Sequence, residues 1–485
     1  MLGRRGTALV GVLWATLSAQ SLARAALCNP DPINAGNMKC SVTTIASLNQ
    51  VFVLADADPN NTYNVSLAKG TYTFTQNLVL TQGSVVIVGA PTGGLSNVKN
   101  YVLNGTNTST NTSVRQFTLQ PANSSQYPFL FVGGVTIQNG EQPGGTISSA
   151  GGCVGAGGGE VEIEQSIVQG CHAPGLGGAI ASAGSAALLL TNSLVQNNYI
   201  DSVKPSTGHT PCGGGNFTNG GGIDVYSGGA ASIESSAIVN NQACRGGGLE
   251  VFGGSLYMDN TTVAGNTANS HGGAMRVIFP TTSLDLLFNT IVENSAALAD
   301  CRLFVGGCAS DAALAGGIAF ESATGASVSL QGNIIAYNKV VFSSDGTTNV
   351  VGTANSLDDC DLIGTTLDTS NNSPTFNYST NVIGQSRTCN LPTSWWGVNA
   401  TPTLANLSTF GLNNQAAATL AVGGTLPAYK PTSTTFFHSQ FGRHNSIGAG
   451  GNVTAQSCLG GDERGYRRSS VNCDVGSYEL NGVKP

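Results

Sequence analysis

The sequence predicts an all-β protein, a right-handed parallel β-helix solenoid with a disulfide-rich C-terminal cap domain. Three observations lead there. The first is composition: Gly makes up 66 of 485 residues and charged residues only 9%, against a usual charged share of about 25%. The second is a Gly-Gly pair followed, directly or after Ala, by an apolar residue. It occurs at Gly151-Gly152-Cys153, Gly177-Gly178-Ala179-Ile180, Gly221-Gly222-Ile223, Gly247-Gly248-Leu249, Gly272-Gly273-Ala274-Met275 and Gly316-Gly317-Ile318. Its second glycine recurs at steps of 26, 44, 26, 25 and 44 residues. The third is an asparagine marker in the same phase, at Asn197, Asn241, Asn266, Asn294 and Asn338. Between markers, stretches such as Ala231 to Ile238 alternate apolar with small or polar residues, the pattern of a strand rather than a helix. A period of about 25 residues is too short for a four-stranded propeller blade and suits a solenoid coil of three short strands. The two long steps hold insertions, Asp201 to Gly220 and roughly Ser295 to Ala315.

Taken in chain order, residues 1–25 read as a secretory signal: Arg4 and Arg5, an apolar core Thr7 to Leu17 too short to span a bilayer, and the small-x-small site Ala23-Arg24-Ala25. Its removal leaves 16 basic against 26 acidic residues, a balance of −10. Residues 26–60 read as an N-terminal cap, with helix-compatible apolar spacing at Leu48, Val51, Phe52 and Leu54. Such a cap is required because an open coil exposes core and strand edges. Residues 61–384 read as the β-helix proper, stacking from as early as Thr44, with strands at Thr71 to Phe74 and Val85 to Val88. Inward Val, Ile, Leu and Ala would form one core, glycines would take tight turns of positive φ, and equivalent asparagines would stack as an amide ladder. Residues 385–485 read as a separate C-terminal domain.

Twelve cysteines suit an oxidising compartment. Near neighbours suggest Cys28–Cys40, Cys301–Cys308, Cys360–Cys389 and Cys458–Cys473, with Cys153, Cys171, Cys212 and Cys244 left open. No Cys or His cluster has metal-ligand spacing, so neither metal nor other cofactor is expected. The acidic balance argues against nucleic acid as a partner. The mature chain has no apolar run long enough for a transmembrane segment. Sequons such as Asn104, Asn107, Asn111 and Asn260 read as Asn/Thr-rich turns.

The Gly-Gly-apolar and Asn markers resemble the right-handed β-helix repeats of polymorphic outer membrane proteins and of CSLREA-domain proteins. Cys40 to Phe74 is similar to the CSLREA region but has Val42-Thr43-Thr44 where that family has Leu-Arg-Glu. Asp462-Glu463-Arg464-Gly465 followed by Cys473-Asp474-Val475-Gly476-Ser477-Tyr478-Glu479 resembles the choice-of-anchor Q end domain. The resemblance implies a secreted or cell-surface β-helix of the pectin-lyase-like fold.

Few residues offer chemistry. Asp462, Arg464, Asp474 and Glu479 read as an ion-paired cap pinned by Cys458–Cys473. Asp358, Asp359 and Asp361 read as turn-forming residues in solvent rather than calcium ligands. His172, His209, His271, His438 and His444 read as surface histidines. The isolated acids in the repeats are Glu160, Glu162, Glu164, Asp224, Glu234, Glu250, Asp259, Asp285 and Glu293. Of these, Glu162, Glu164, Glu234 and Glu250 are candidates for stacking across coils into a groove with Arg245 or Arg276. Tyr226, Phe252 and Tyr257 are candidates for an aromatic row against a glycan. The sequence therefore assigns no catalytic residue. It favours a secreted adhesion or matrix protein interacting with extracellular polysaccharide or a host or cell-surface glycan. The alternative is a polysaccharide lyase or glycoside hydrolase, which needs two or three carboxylates on neighbouring coils.

Overall fold

A computed structural model describes residues 27–90, 95–107, 112–142, 151–200, 219–278, 282–297, 315–321, 327–341, 356–363, 376–379 and 382–383. Over these residues the chain is a parallel β-helix. One wall stacks Asn37–Val42, Thr62–Leu67, Ser84–Val88 and Phe129–Gly133 and runs on through Ala230–Glu234, Ser255–Asp259, Ser283–Leu287 and Ser327–Gln331. A second wall, which we call the glycine wall, stacks Ile223–Tyr226, Leu249–Phe252, Met275–Ile278, Ile318–Glu321 and Cys360–Ile363. The long strands Val154–Glu164 and Ile180–Thr191 run through both walls and join them into one 19-stranded sheet. A third wall of ten strands and a narrow strip of seven close the coil.

The glycines line up rung over rung, with a finer register than the sequence marker. Val154, Ile180, Ile223, Leu249, Met275 and Ile318 share one register position. Four of the aligned pairs are therefore Gly177-Gly178, Gly220-Gly221, Gly246-Gly247 and Gly272-Gly273, and the third position is Gly222, Gly248 or Gly317 where the other rungs carry Cys153, Ala179 or Ala274. Each first glycine takes the left-handed conformation, with φ of 64°, 66°, 59° and 65°. Each second glycine sits where a Cβ would collide with the carbonyl oxygen of the next rung. The insertions leave after Ile200 and Ala297, and the chain rejoins the rungs at Asn219 and Ala315, at one corner of the coil.

The amide ladder runs one residue off the expected marker at its start. Asn198, not Asn197, is its member, because Asn197 occupies the left-handed corner itself, with φ 55°. Asn198 Nδ2 donates to Asn241 Oδ1 at 2.9 Å, Asn241 to Asn266 at 3.0 Å, Asn266 to Asn294 at 2.9 Å and Asn294 to Asn338 at 2.8 Å. Each backbone N–H in the row donates to the same oxygen. A second ladder, not read from the sequence, climbs the neighbouring corner: Ser166, Ser193, Ser236 and Thr261 by hydroxyls, then Asn289 and Asn333 by amides. Both ladders pair corner N–H groups that walls of strand cannot reach, as buried backbone requires.

Asp358, Asp359 and Asp361 are buried, correcting their reading as solvated turn residues. Asp359 Oδ1 ends the amide ladder, accepting from Asn338 N at 2.8 Å and Nδ2 at 2.9 Å. Hydrogen bonding rather than exposure accounts for this aspartate.

At the N-terminal end, Thr44 caps the helix Ile45–Ala57 in a reciprocal box with Ser47. Leu48, Val51, Phe52, Leu54 and Ala55 are buried, and the Phe52 ring stacks on Phe117 at 5.9 Å. The expected Cys28–Cys40 disulfide is present and ties Cys28–Pro30 to the first rung; Cys153–Cys171 is a second bridge. Cys244 and Cys360 are also disulfide-bonded. The pairs Cys301–Cys308 and Cys458–Cys473, the residue Cys389, the signal segment and the C-terminal domain lie outside the described residues.

Replacing Asn266 with Ala removes four side-chain hydrogen bonds and orphans the N–H of Asn241. A loss of about 2–4 kcal/mol is expected from leaving such buried groups unpaired, read by urea denaturation. Asn266→Ala stability equal to wild type would refute the ladder's structural role.

Candidate functional site

Most outward positions of the coil carry small or polar residues, yet the glycine wall bears charge at one register position on three successive rungs: Asp224, Glu250 and Arg276. All three are buried. The corner explains part of this burial. The left-handed glycine before each strand folds back over the position, so that a Cβ on Gly220 would reach the Asp224 Cβ, and one on Gly246 the Glu250 Cβ.

Arg276 is the centre of the cluster. Its Nη1 donates to Glu250 Oε1 at 3.1 Å and its Nε to Glu321 Oε2 at 2.6 Å. Asp224 has no hydrogen-bond partner at either carboxylate oxygen, and Glu250 Oε2 has none, among the described residues. Burial is the main force raising the affinity of both carboxyls for a proton. Asp224 is lifted well above the usual carboxylate range by burial and then by the charge of Glu250, with Arg276 opposing. Glu250 is pushed up to about 7 by burial, against the pull of Arg276 and Arg245. Burial acts on Glu321 in the same sense, but Arg276, with His271 and Arg245, outweighs it and holds that carboxyl low. Around the cluster, His271 is buried and pairs in register with Arg245, which corrects its reading as a surface histidine. His172 stacks on Tyr199 with centroids 5.0 Å apart and lies 3.7 Å from Glu141; His209, His438 and His444 lie outside the described residues.

The expected groove of Glu162, Glu164, Glu234 and Glu250 is not assembled. Glu164 and Glu234 share one column through Thr191, but Glu162 belongs to the adjacent column of Leu189, Ser232 and Tyr257, and Glu250 stands on the glycine wall. Alternation sends Glu162 and Glu164 outward on the first wall, whereas the 26-residue step places Glu250 beside Asp224 and Arg276 instead. The aromatic row also divides. Tyr226 and Phe252 occupy one register position and stack at 4.8 Å and 22°, each partly exposed. Tyr257 sits on the first wall beside Glu234, Asp259 and Asp285, where burial and these charges push its phenol up to about 12. The stacked pair stands two residues beyond Asp224 and Glu250 on the same strands.

The expected partnership of Glu250 with Arg276 is present, but Asp224 was not grouped with them: the second glycine of the sequence marker lies two residues before Asp224 and Glu250 and three before Arg276, whereas from the first left-handed glycine all three fall four residues later. Among the described residues, no group of three or more His, Cys, Asp or Glu side chains is placed to hold a metal, and no helix is long and apolar enough to cross a membrane.

No protein-family model matches the sequence, and no curated protein matches it. Among solved structures, the chain is similar to the PL6 family alginate lyase AlyGC, at 12% identity and a TM-score of 0.22, over 82% of this chain and 56% of that one. It thus spans little more than half the length of that lyase. It is also similar to a mannuronic acid specific polysaccharide family 6 lyase from human gut microbiota, at 10% identity and a TM-score of 0.23, over 71% of this chain and 87% of that one.

Arg276→Met leaves the buried Glu250 and the partly exposed Glu321 without their cation. A loss of about 3–5 kcal/mol is expected, measured by chemical denaturation at neutral pH; a change under about 1 kcal/mol would show the column to be solvent-screened.

Proposed function

We propose that this chain is an exported, disulfide-stapled β-helix protein that binds extracellular polysaccharide or a cell-surface glycan without cleaving it. The observation that carries this reading is the Tyr226–Phe252 stack. Two partly exposed rings stacked on one another on adjacent rungs offer a platform of ring edges along the axis of the coil, and the apolar body of such side chains supplies contact area. The carboxylates nearest to it, Asp224 and Glu250, are wholly covered, so a glycan resting on the rings does not touch them. Export is supported by the signal-like residues 1–25 and by the disulfides Cys28–Cys40 and Cys153–Cys171. The resemblance to CSLREA and choice-of-anchor Q proteins supports a cell-surface or extracellular-matrix setting.

The second reading is turnover of a polysaccharide by elimination or hydrolysis. The protonation behaviour of Glu250 favours it, since a group lifted to about 7 beside an arginine suits acid–base work. It requires the wall to open over Glu250.

Incubating the mature protein with a panel of neutral and acidic glycans separates the two. The expected outcome is retention of at least one glycan with no new reducing or unsaturated ends. Tyr226→Ala with Phe252→Ala should weaken retention tenfold or more, on the order of 1.4 kcal/mol or above, with the circular dichroism of the fold unchanged. Cleavage abolished by Glu250→Gln would replace the binding reading with the catalytic one.

A further inference from the structure

The glycan reading makes no use of the charged column, and the column has an unusual balance. Asp224 faces Glu250 one rung on, a separation of about 4.8 Å along the stack. Arg276 spends its contacts on Glu250 and Glu321 and makes none with Asp224. On the preceding rung the register neighbour of Asp224 is Ala181, which is uncharged. From the corner come Asn219, Arg245 and His271; from the following rungs come Glu250, Arg276 and Glu321. Two arginines and a histidine therefore stand against three carboxylates, two of which lie side by side in a covered site with no hydrogen bond to Asp224. Ionising both members of such a pair is costly, because like charges that close cannot be screened by water.

We propose that Asp224 and Glu250 hold a proton between them inside the glycine wall at neutral pH, making this stretch of the β-helix a pH-sensitive element, firm in mild acid and loosened as the pH rises. The direction follows from linkage. Both carboxyls bind a proton more tightly folded than unfolded. The folded state therefore carries more protons than the unfolded one above the ordinary carboxylate range, and stability falls with rising pH. Its contribution is complete below the ordinary values of 3.8 and 4.5, and for Glu250 it fades as the pH climbs through about 7. The two titrate as a coupled pair, so the fall belongs to the pair rather than to one residue. The element loosened is the set of rungs that also presents Tyr226 and Phe252, which ties the firmness of the platform to acidity.

The test compares thermal midpoints of the mature protein and of Asp224→Asn at about pH 5 and about pH 8.5. Asparagine keeps the shape of the protonated acid and cannot ionise. Wild type should lose several degrees between the two conditions, and Asp224→Asn should lose clearly less and match or exceed wild type at the higher pH. An equal pH dependence in both proteins overturns the proposal. Should Asp224→Asn fail to fold, infrared spectroscopy of wild type decides: a carboxyl band of an un-ionised acid at neutral pH, lost on unfolding and reduced in Glu250→Gln, is the expected result. Absence of that band, or its full persistence in Glu250→Gln, overturns the proposal as well. None of these outcomes depends on whether a glycan binds.

Discussion

The structure depends on one constraint: each rung must present its backbone groups at the height where the next rung can receive them. In the walls this is met by parallel strand pairing, which holds a single register from Val154 to Cys360 across rungs of unequal length. At the corners the chain turns and strand pairing lapses, so the same constraint falls on side chains. The asparagine row and the Ser/Thr/Asn row meet it by placing one acceptor per rung under the N–H of the rung before. Glycine enters for the complementary reason, since at Gly221 or Gly247 any side chain would occupy the space of a neighbouring carbonyl. Sequence composition, corner chemistry and core thus follow from a single geometric demand.

The same demand accounts for the scarcity of charge. A residue on one rung has its register equivalents directly above and below, so an ionised group acts on the groups stacked with it. Glu164 and Glu234 face water from the first wall with Thr191 between them. Asp224, Glu250 and Arg276 face a covered corner and answer one another by the ion pair and by the raised proton affinity of the two carboxyls. Buried ion pairs add little net stability relative to apolar packing, and in this column the charges govern how the strength of the wall responds to pH rather than adding to it.

Much of the fold was legible in the sequence. The period, the alternation and the Gly and Asn punctuation suffice for a β-helix, and the apolar spacing at Leu48, Val51, Phe52 and Leu54 suffices for the helix that covers its first rungs. The second ladder was hidden because its members change chemistry along the stack, from Ser166 to Thr261 to Asn333, and share only a position. The charged column was hidden by a one-residue error of phase between the rungs with three glycines, which carry Asp224 and Glu250, and the Gly272-Gly273-Ala274 rung, which carries Arg276. Asp358, Asp359 and Asp361 misled for the opposite reason: a dense acidic run ordinarily seeks solvent, and only the stack above reveals that Asp359 has amide donors waiting for it.

The amide row also has a direction. From Asn198 onward every Nδ2 donates to the later-made rung. The sequence of donors is closed by a carboxylate, which in its ionised form can only accept. The row is thus a chain of side-chain dipoles aligned from the amino to the carboxyl end of the coil, and Asp359 terminates it with an acceptor that needs no donor of its own.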